Sequence, residues 1–151
     1  MIKNFKIISG GQTGVDRAAL DWAIGHGVPY GGWCPVGRLA EDGVVPARYA
    51  LDEMLQGGYL ERTRANVRDS DATLIITLSS ALSGGSKETV RFAVELRKPW
   101  LHVYPSMDWK SASGRWVRPR GTFVLNVAGP RATKEPDVGA FAWQVLDAMF
   151  R

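Results

Sequence analysis

Twice in this chain a short, β-branched apolar run stops at a pair of glycines and gives way to apolar residues at helical spacing, and few folds accommodate that pattern. In the first copy, residues 5–9 read Phe-Lys-Ile-Ile-Ser and end on Gly10 and Gly11, after which Val15, Ala18, Ala19, Trp22 and Ala23 recur at intervals of one to four. The run is too short for a helix and suits a buried strand. Thr13 is a candidate N-cap for the helix, and Gly25 and Gly27 are candidate terminators. In the second copy, residues 72–78 (Ala-Thr-Leu-Ile-Ile-Thr-Leu) form the clearest strand of the sequence. The segment 79–86 then carries Gly84 and Gly85, and Val90, Ala93 and Val94 resume helical spacing, with Arg97 and Lys98 expected in the last turn and Pro99 as the stop. Strand, glycine turn and helix make the front half of a βαβ unit, whose crossover aligns its strands in parallel.

The remaining segments extend the same alternation. Residues 29–35 (Pro-Tyr-Gly-Gly-Trp-Cys-Pro) predict a second strand with a tight exit, and 60–71 is polar and helix-compatible. Residues 100–104 and 122–127 predict further strands, and Val138, Ala140, Val145 and Met149 mark a closing amphipathic helix. Residues 36–58 read as a long functional loop or short helix, and 106–120 as a hairpin-like or mobile loop. The expected fold class is therefore α/β: a single Rossmann-like domain with a mostly parallel sheet and helices on both faces. A length of 151 residues, 45% hydrophobic and 23% charged, suits one such domain with a proper core.

The strand-to-helix turns carry the candidate chemistry. In Ser-Gly-Gly-Gln-Thr-Gly-Val-Asp-Arg, Gly10, Gly11 and Gly14 let the backbone approach a ligand closely, and the N–H groups opening the next helix attract anions. Gln12 and Thr13 add hydrogen-bonding side chains, and Asp16 and Arg17 stand one turn into the helix. The spacing is neither a full G-x-G-x-x-G nor a Walker A loop, and it fits an anion cradle and a plain tight turn equally well. The second turn offers Gly84, Gly85, Ser86 and Lys87, the last as a point charge for a phosphate. Strand ends of one parallel sheet share an edge, so both turns are expected to face one pocket. Arg64 and Asn66 precede the strongest strand and are placed at the same pocket. Glu41 and Asp42 are adjacent rather than spaced as a catalytic pair, which favours a solvated loop over acid/base work.

Other residues narrow the function. Cys34 is the only cysteine, so no internal disulfide forms, and it reads as a small buried hydrophobe. His26 and His102 are too isolated to suggest a metal site. The net charge of +4 suits an anionic small-molecule ligand but lacks the dense basic stripe of a nucleic-acid binder, so neither nucleic acid nor, in the absence of a long apolar stretch, a membrane is an expected partner. No signal-peptide pattern opens the chain, which makes the cytoplasm the expected location. Six tryptophans in so small a domain point to a homo-oligomer, because aromatics are enriched in interface cores.

Several blocks together resemble a known family: 9–19 (Ser-Gly-Gly-Gln-Thr-Gly-Val-Asp-Arg-Ala-Ala), 32–38 (Gly-Trp-Cys-Pro-Val-Gly-Arg), 40–43 (Ala-Glu-Asp-Gly), 62–67 (Arg-Thr-Arg-Ala-Asn-Val), Ser70-Asp71 and 84–86 (Gly-Gly-Ser). The resemblance is to the proteins named as molybdenum carriers, the circularly permuted branch of the SMF/DprA–LOG (SLOG) superfamily. It runs from residue 5 to about 104 and is loose beyond. It implies a Rossmann-like fold, a cytoplasmic homo-oligomer, and a pocket lined by Gly10, Gly11, Thr13, Gly14, Gly84, Gly85 and Ser86. The ligand so implied is molybdenum cofactor (molybdopterin), a pterin with a phosphate tail, or else a nucleotide-like molecule. One departure bears on catalysis. The phosphoribohydrolase relatives carry Pro-Gly-Gly-x-Gly-Thr with a glutamate three residues later; here Ser83, Lys87 and Glu88 replace the proline, last glycine and threonine, and Arg91 stands at the glutamate position. A binding protein without chemistry of its own is the leading expectation, and a nucleotide- or nucleotide-sugar-processing enzyme or sensor using Asp16, Glu41 or Asp42 is the alternative.

Overall fold

The computed structural model describes residues 4–151; the expectation that no leader precedes the first strand rests partly on residues 1–3, outside the described residues. Among the described residues nine strands and five α-helices follow in the order β1 Phe5–Ile8, α1 Val15–Gly25, β2 Tyr30–Gly31, β3 Trp33–Cys34, β4 Leu39–Ala40, β5 Gly43–Val44, β6 Asp52–Glu53, α2 Tyr59–Arg68, β7 Ala72–Ile76, α3 Gly84–Glu95, β8 Trp100–Val103, α4 Trp109–Val117, β9 Phe123–Ala128 and α5 Val138–Phe150, with a 3-10 turn at Val36–Arg38. The central sheet is wholly parallel, in the order β2-β1-β9-β7-β8. Strand β9, last in sequence, is central in space, pairing Phe5 with Phe123 on one side and Ala72 with Leu125 on the other. Placing β9 ahead of β1 turns the order into 3-2-1-4-5, the start of a doubly wound Rossmann sheet. The fold is that sheet with its first strand and helix moved to the end of the chain.

Strand alternation divides the core. Ile7, Leu74, Ile76, Leu125 and Val127 pack with α1, α4 and α5, where Trp22, Phe141, Val145 and Leu146 complete the main cluster. Trp22 donates its indole N–H to Asp147 at 2.8 Å, tying α1 to α5. Val67, Phe92 and Ala93 form a smaller cluster between α2 and α3. The segment 36–53 is ordered without much regular structure: Arg38 donates to the carbonyls of Val45, Pro46, Tyr49 and Leu51. Beneath it Leu20, Cys34, Val45 and Tyr49 form a third cluster, and burial pushes the Cys34 thiol pKa up. No described helix is long and apolar enough to cross a membrane.

Four local expectations need correction. Residues 106–120 contain α4 rather than a hairpin-like or mobile loop; Asp108 accepts from the Ser111 amide at 3.4 Å, and Trp109, Trp116 and Val117 supply the apolar face that its Ser and Gly residues conceal. The N-cap of α1 is Gly14, with φ 82°, rather than Thr13, whose hydroxyl is engaged elsewhere. Residues 29–35 make two dipeptide strands because Gly32 kinks between them at φ 122° and a side chain there would meet the Ser9 carbonyl. Helix α3 ends at Glu95, so Arg97 and Lys98 lie beyond its last turn.

Candidate functional site

A doubly wound sheet opens a crevice where successive crossovers leave in opposite directions, and in this strand order that point lies between β9 and β7. A cavity of about 300 Å³ lies there. The β1–α1 turn contributes Gly10, Gln12 and Asp16; α2 contributes Tyr59, Leu60, Arg62, Thr63 and Asn66. The start of α3 contributes Gly84, Gly85, Ser86, Glu88 and Thr89, and the end of β9 with its following loop contributes residues 126–129, Arg131 and Lys134. Both glycine turns thus face one cavity.

Both turns leave backbone amides open, and they differ in how many of these face the cavity. In the β1–α1 turn three amides are spoken for: Gln12 N–H donates to Asp16 (3.2 Å), Thr13 N–H to the Gln12 side chain (3.0 Å) and Val15 N–H to the Pro130 carbonyl (3.4 Å); those of Gly10, Gly11 and Gly14 meet no acceptor among the described residues, and of these Gly10 alone lines the cavity. Its glycines answer to packing. Gly11 has φ 81° and a Cβ there would press on Leu51 and Val45; at Gly14 it would lie 2.4 Å from the Pro130 carbonyl. Helix α3 has no side-chain cap, and among the described residues no acceptor meets the amides of Gly84, Gly85 or Ser86. The Ser86 hydroxyl, in a residue 7% exposed, is likewise without a partner. Three open N–H groups at a helix N-terminus favour an anion. Across the mouth Lys134 donates to the Ser83 hydroxyl at 2.6 Å.

The crevice floor holds a buried pair. Arg62 donates to the Gly10 carbonyl at 2.8 Å and lies 3.4 Å from Asp16. Burial pushes the Asp16 pKa up, opposed by Arg62, the Gln12 amide, the Ser9 hydroxyl and Arg17 in that order. The Ser9 hydroxyl gives its proton to the Val127 carbonyl at 2.7 Å, so Arg62 and Gln12 are the carboxylate's hydrogen-bonding partners. Gly10 owes its identity to Arg62, for a Cβ there would stand 1.9 Å from Nη1.

Other nominated residues build walls. Asn66 both accepts from and donates to the Trp33 backbone, at 2.8 and 3.0 Å, fastening α2 to β3. Arg17 grips Asp42 at 2.6 and 2.8 Å and holds the Gly11 carbonyl, which lowers the Asp42 pKa. Glu41 accepts from the hydroxyls of Thr13 (2.5 Å) and Thr133 (2.6 Å), and these bonds, helped by Arg131, lower its pKa. Thr13 also accepts from the Ala132 amide at 3.1 Å. Arg64 and Lys87 are exposed and do not line the cavity, and Gly11, Thr13, Gly14 and Arg17 stand behind it. Burial lowers the pKa of His102, which contacts Thr77 at 2.6 Å. Among the described residues no three His, Cys, Asp or Glu side chains gather as a metal-ligand group.

Sequence reasoning missed Arg62, Asn126, Arg131 and Lys134. Arg62 stands four residues before Asn66, hence on the same helix face, whereas Arg64 lies well round the helix from it. The other three belong to a third strand–glycine–helix unit, Asn126 to Gly129 and onward into α5, whose turn repeats the logic of the first two.

Comparison with known proteins gives concordant findings. The family model of the circularly permuted YpsA SLOG proteins matches residues 7–150. A crystal structure titled as that of a "Putative molybdenum carrier protein" from Syntrophus aciditrophicus SB is 48% identical and superposes with a TM-score of 0.91, covering 97% of this chain and 94% of that one. A search of curated proteins finds no match.

Proposed function

The chain belongs to the circularly permuted YpsA SLOG family, and from that premise we propose that it is a binding or carrier protein for an anionic, phosphate-bearing small molecule held in the β9–β7 crevice. The observation that carries this reading is the uncapped start of α3: the amides of Gly84, Gly85 and Ser86, with the Ser86 hydroxyl, open into a cavity that Lys134 and Arg131 also line. A phosphate there gains backbone donors, the helix dipole and two cations.

Molybdenum cofactor is one ligand these residues fit, through its phosphate tail and its planar pterin. The cofactor brings its own sulfur ligands for molybdenum, which suits a crevice without a metal-ligand group. The protein's part is then to hold the organic portion and shield it. A nucleotide-like ligand meets the same donors. One observation favours the second reading, a nucleotide-processing enzyme: Asp16 is buried in the crevice with a raised pKa, whereas Glu41 and Asp42 are engaged as ties. A homo-oligomer in the cytoplasm belongs to the proposal too, and the exposed, cross-paired Leu39 and Val44 support the oligomer.

Mass spectrometry and metal analysis of whatever co-purifies, with calorimetric titration of pyrophosphate into the stripped protein, test the reading. Pyrophosphate is expected to bind and to raise the melting temperature. Release of free base from nucleoside monophosphates would move the assignment to the enzyme; no anion binding would remove the carrier reading.

A further inference from the structure

The crevice floor has more open polar valence than a phosphate site needs. Asp16 is 6% exposed, Arg62 8% and Asn126 3%, and all three line the cavity. Asp16 receives its hydrogen bonds on Oδ2 alone, leaving Oδ1 without one. Arg62 uses Nε and Nη1, so Nη2 has no partner among the described residues. Asn126 donates from Nδ2 to the Thr73 hydroxyl at 3.3 Å, and its carbonyl oxygen is unpaired. None of these three atoms is sealed off, since among the described residues the sealed side-chain atom without a partner is Arg120 Nε; all three are open to the cavity, where the polar groups of a ligand complete them.

The unfilled positions have a definite pattern: two acceptors, on Asp16 and Asn126, and one donor, on Arg62. Their complement is a planar edge carrying two N–H donors and one carbonyl. A 2-amino-4-oxopyrimidine ring has that edge, in its amino group, its ring N–H and its adjacent carbonyl. Tyr59 supplies a flat wall: it lines the cavity, is 47% exposed, and has the Arg62 guanidinium 5.6 Å from its ring centroid. A ring seated on the floor stacks there.

We infer that Asp16, Arg62 and Asn126 form a head-group subsite for the 2-amino-4-oxopyrimidine edge shared by guanine and pterin rings. This rests on the reading that the α3 end of the same crevice takes the ligand's phosphate. The subsite discriminates among ligands with the same phosphate. Hypoxanthine lacks the amino donor, and adenine lacks the paired donors and the carbonyl, so each leaves a buried group unpaired, which is the more costly outcome.

The test is calorimetric titration of the full chain with pyrophosphate, GMP, IMP, AMP and a pterin bearing a 6-phosphooxymethyl group. The expected order is GMP above IMP above AMP, with GMP at least about tenfold tighter than AMP. Asp16→Asn, its folding checked by thermal melting, is expected to abolish the preference for GMP over AMP. Tighter binding of the pterin phosphate than of GMP assigns the subsite to pterins, and the reverse assigns it to guanine nucleotides; either supports the inference. If pyrophosphate binds but GMP, IMP and AMP bind alike, or AMP binds best, the head-group subsite is overturned and the phosphate reading stands. If neither pyrophosphate nor any nucleotide or pterin binds, both fall. The wild-type ligand order decides the matter even if Asp16→Asn does not fold.

Discussion

Glu41 shows how much of this site is held together by single side chains. Its carboxylate takes hydrogen bonds from Thr13 on the β1–α1 turn and Thr133 on the β9–α5 loop, and its own backbone belongs to the β4–β5 hairpin. One residue therefore pins three segments that meet behind the crevice. The hydroxyl of Thr13, then that of Thr133, lower its pKa from 4.5. A carboxyl whose pKa is lower in the folded than in the unfolded chain stabilises the fold fully above the unfolded value, and that contribution vanishes as pH falls through the folded one. Glu41→Gln preserves shape but removes the charge. Its melting temperature is expected to lie below that of the wild type near neutral pH, with the gap closing as pH falls below about 4. Thermal melts of both proteins across that range check this, and a constant gap would show that the charge contributes nothing.

At the scale of elements, the difference between the two glycine turns decides where an anion belongs. The α1 turn spends three amides on Asp16, Gln12 and Pro130 and leaves only that of Gly10 open on a cavity-lining residue, while the three open amides of the α3 turn all belong to cavity-lining residues and have Lys134, not Lys87, beside their cap. Lys134→Ala is expected to weaken pyrophosphate binding by about 1–2 kcal/mol at low salt, with a smaller loss at high salt. Lys87→Ala should change affinity by less than about 0.5 kcal/mol. Titrations of both variants at two salt concentrations decide; equal losses would place the phosphate elsewhere. This contrast also marks the limit of what the sequence discloses. Apolar runs at 5–9, 72–78 and 122–127 showed the strands, because burial on both faces leaves little room for polar residues. The glycine turns were visible, yet their roles were not, since Gly11 and Gly14 serve contacts with Val45 and Pro130 that are remote in sequence. Helix α4 stayed hidden because Ser111, Ser113 and Gly114 dilute its apolar stripe, leaving tertiary packing of Trp109 and Val117 to stabilise it.

For the whole molecule, the order of strands in space and in sequence are out of step by one unit, and β1 and α5 meet in space. Phe5 and Phe150 stack with centroids 4.0 Å apart, so β1 begins where α5 finishes. Joining the ends by a short flexible linker and opening the chain between α4 and β9, within residues 118–122, restores the 3-2-1-4-5 order without moving any element. All three crevice turns remain intact, as do the ties of the β9–α5 loop to its neighbours: Ala132 to Thr13, Lys134 to Ser83, and Glu135 to the Leu78 amide at 2.7 Å. The rearranged chain is therefore expected to keep the native far-ultraviolet circular dichroism spectrum and the pyrophosphate affinity of the original. Its refolding should be faster. In the natural order the central pairing of β1 with β9 joins residues from opposite ends of the chain, and closing so long a loop before any contact rewards it slows folding. In the permuted order that pairing is bridged by α5 and the linker alone. Stopped-flow refolding of both chains at matched final denaturant measures the difference. Equal or slower refolding of the permuted chain would show that β1–β9 pairing forms after the rate-limiting step, with the nucleus lying instead in β7, β8 and the helices that cover them.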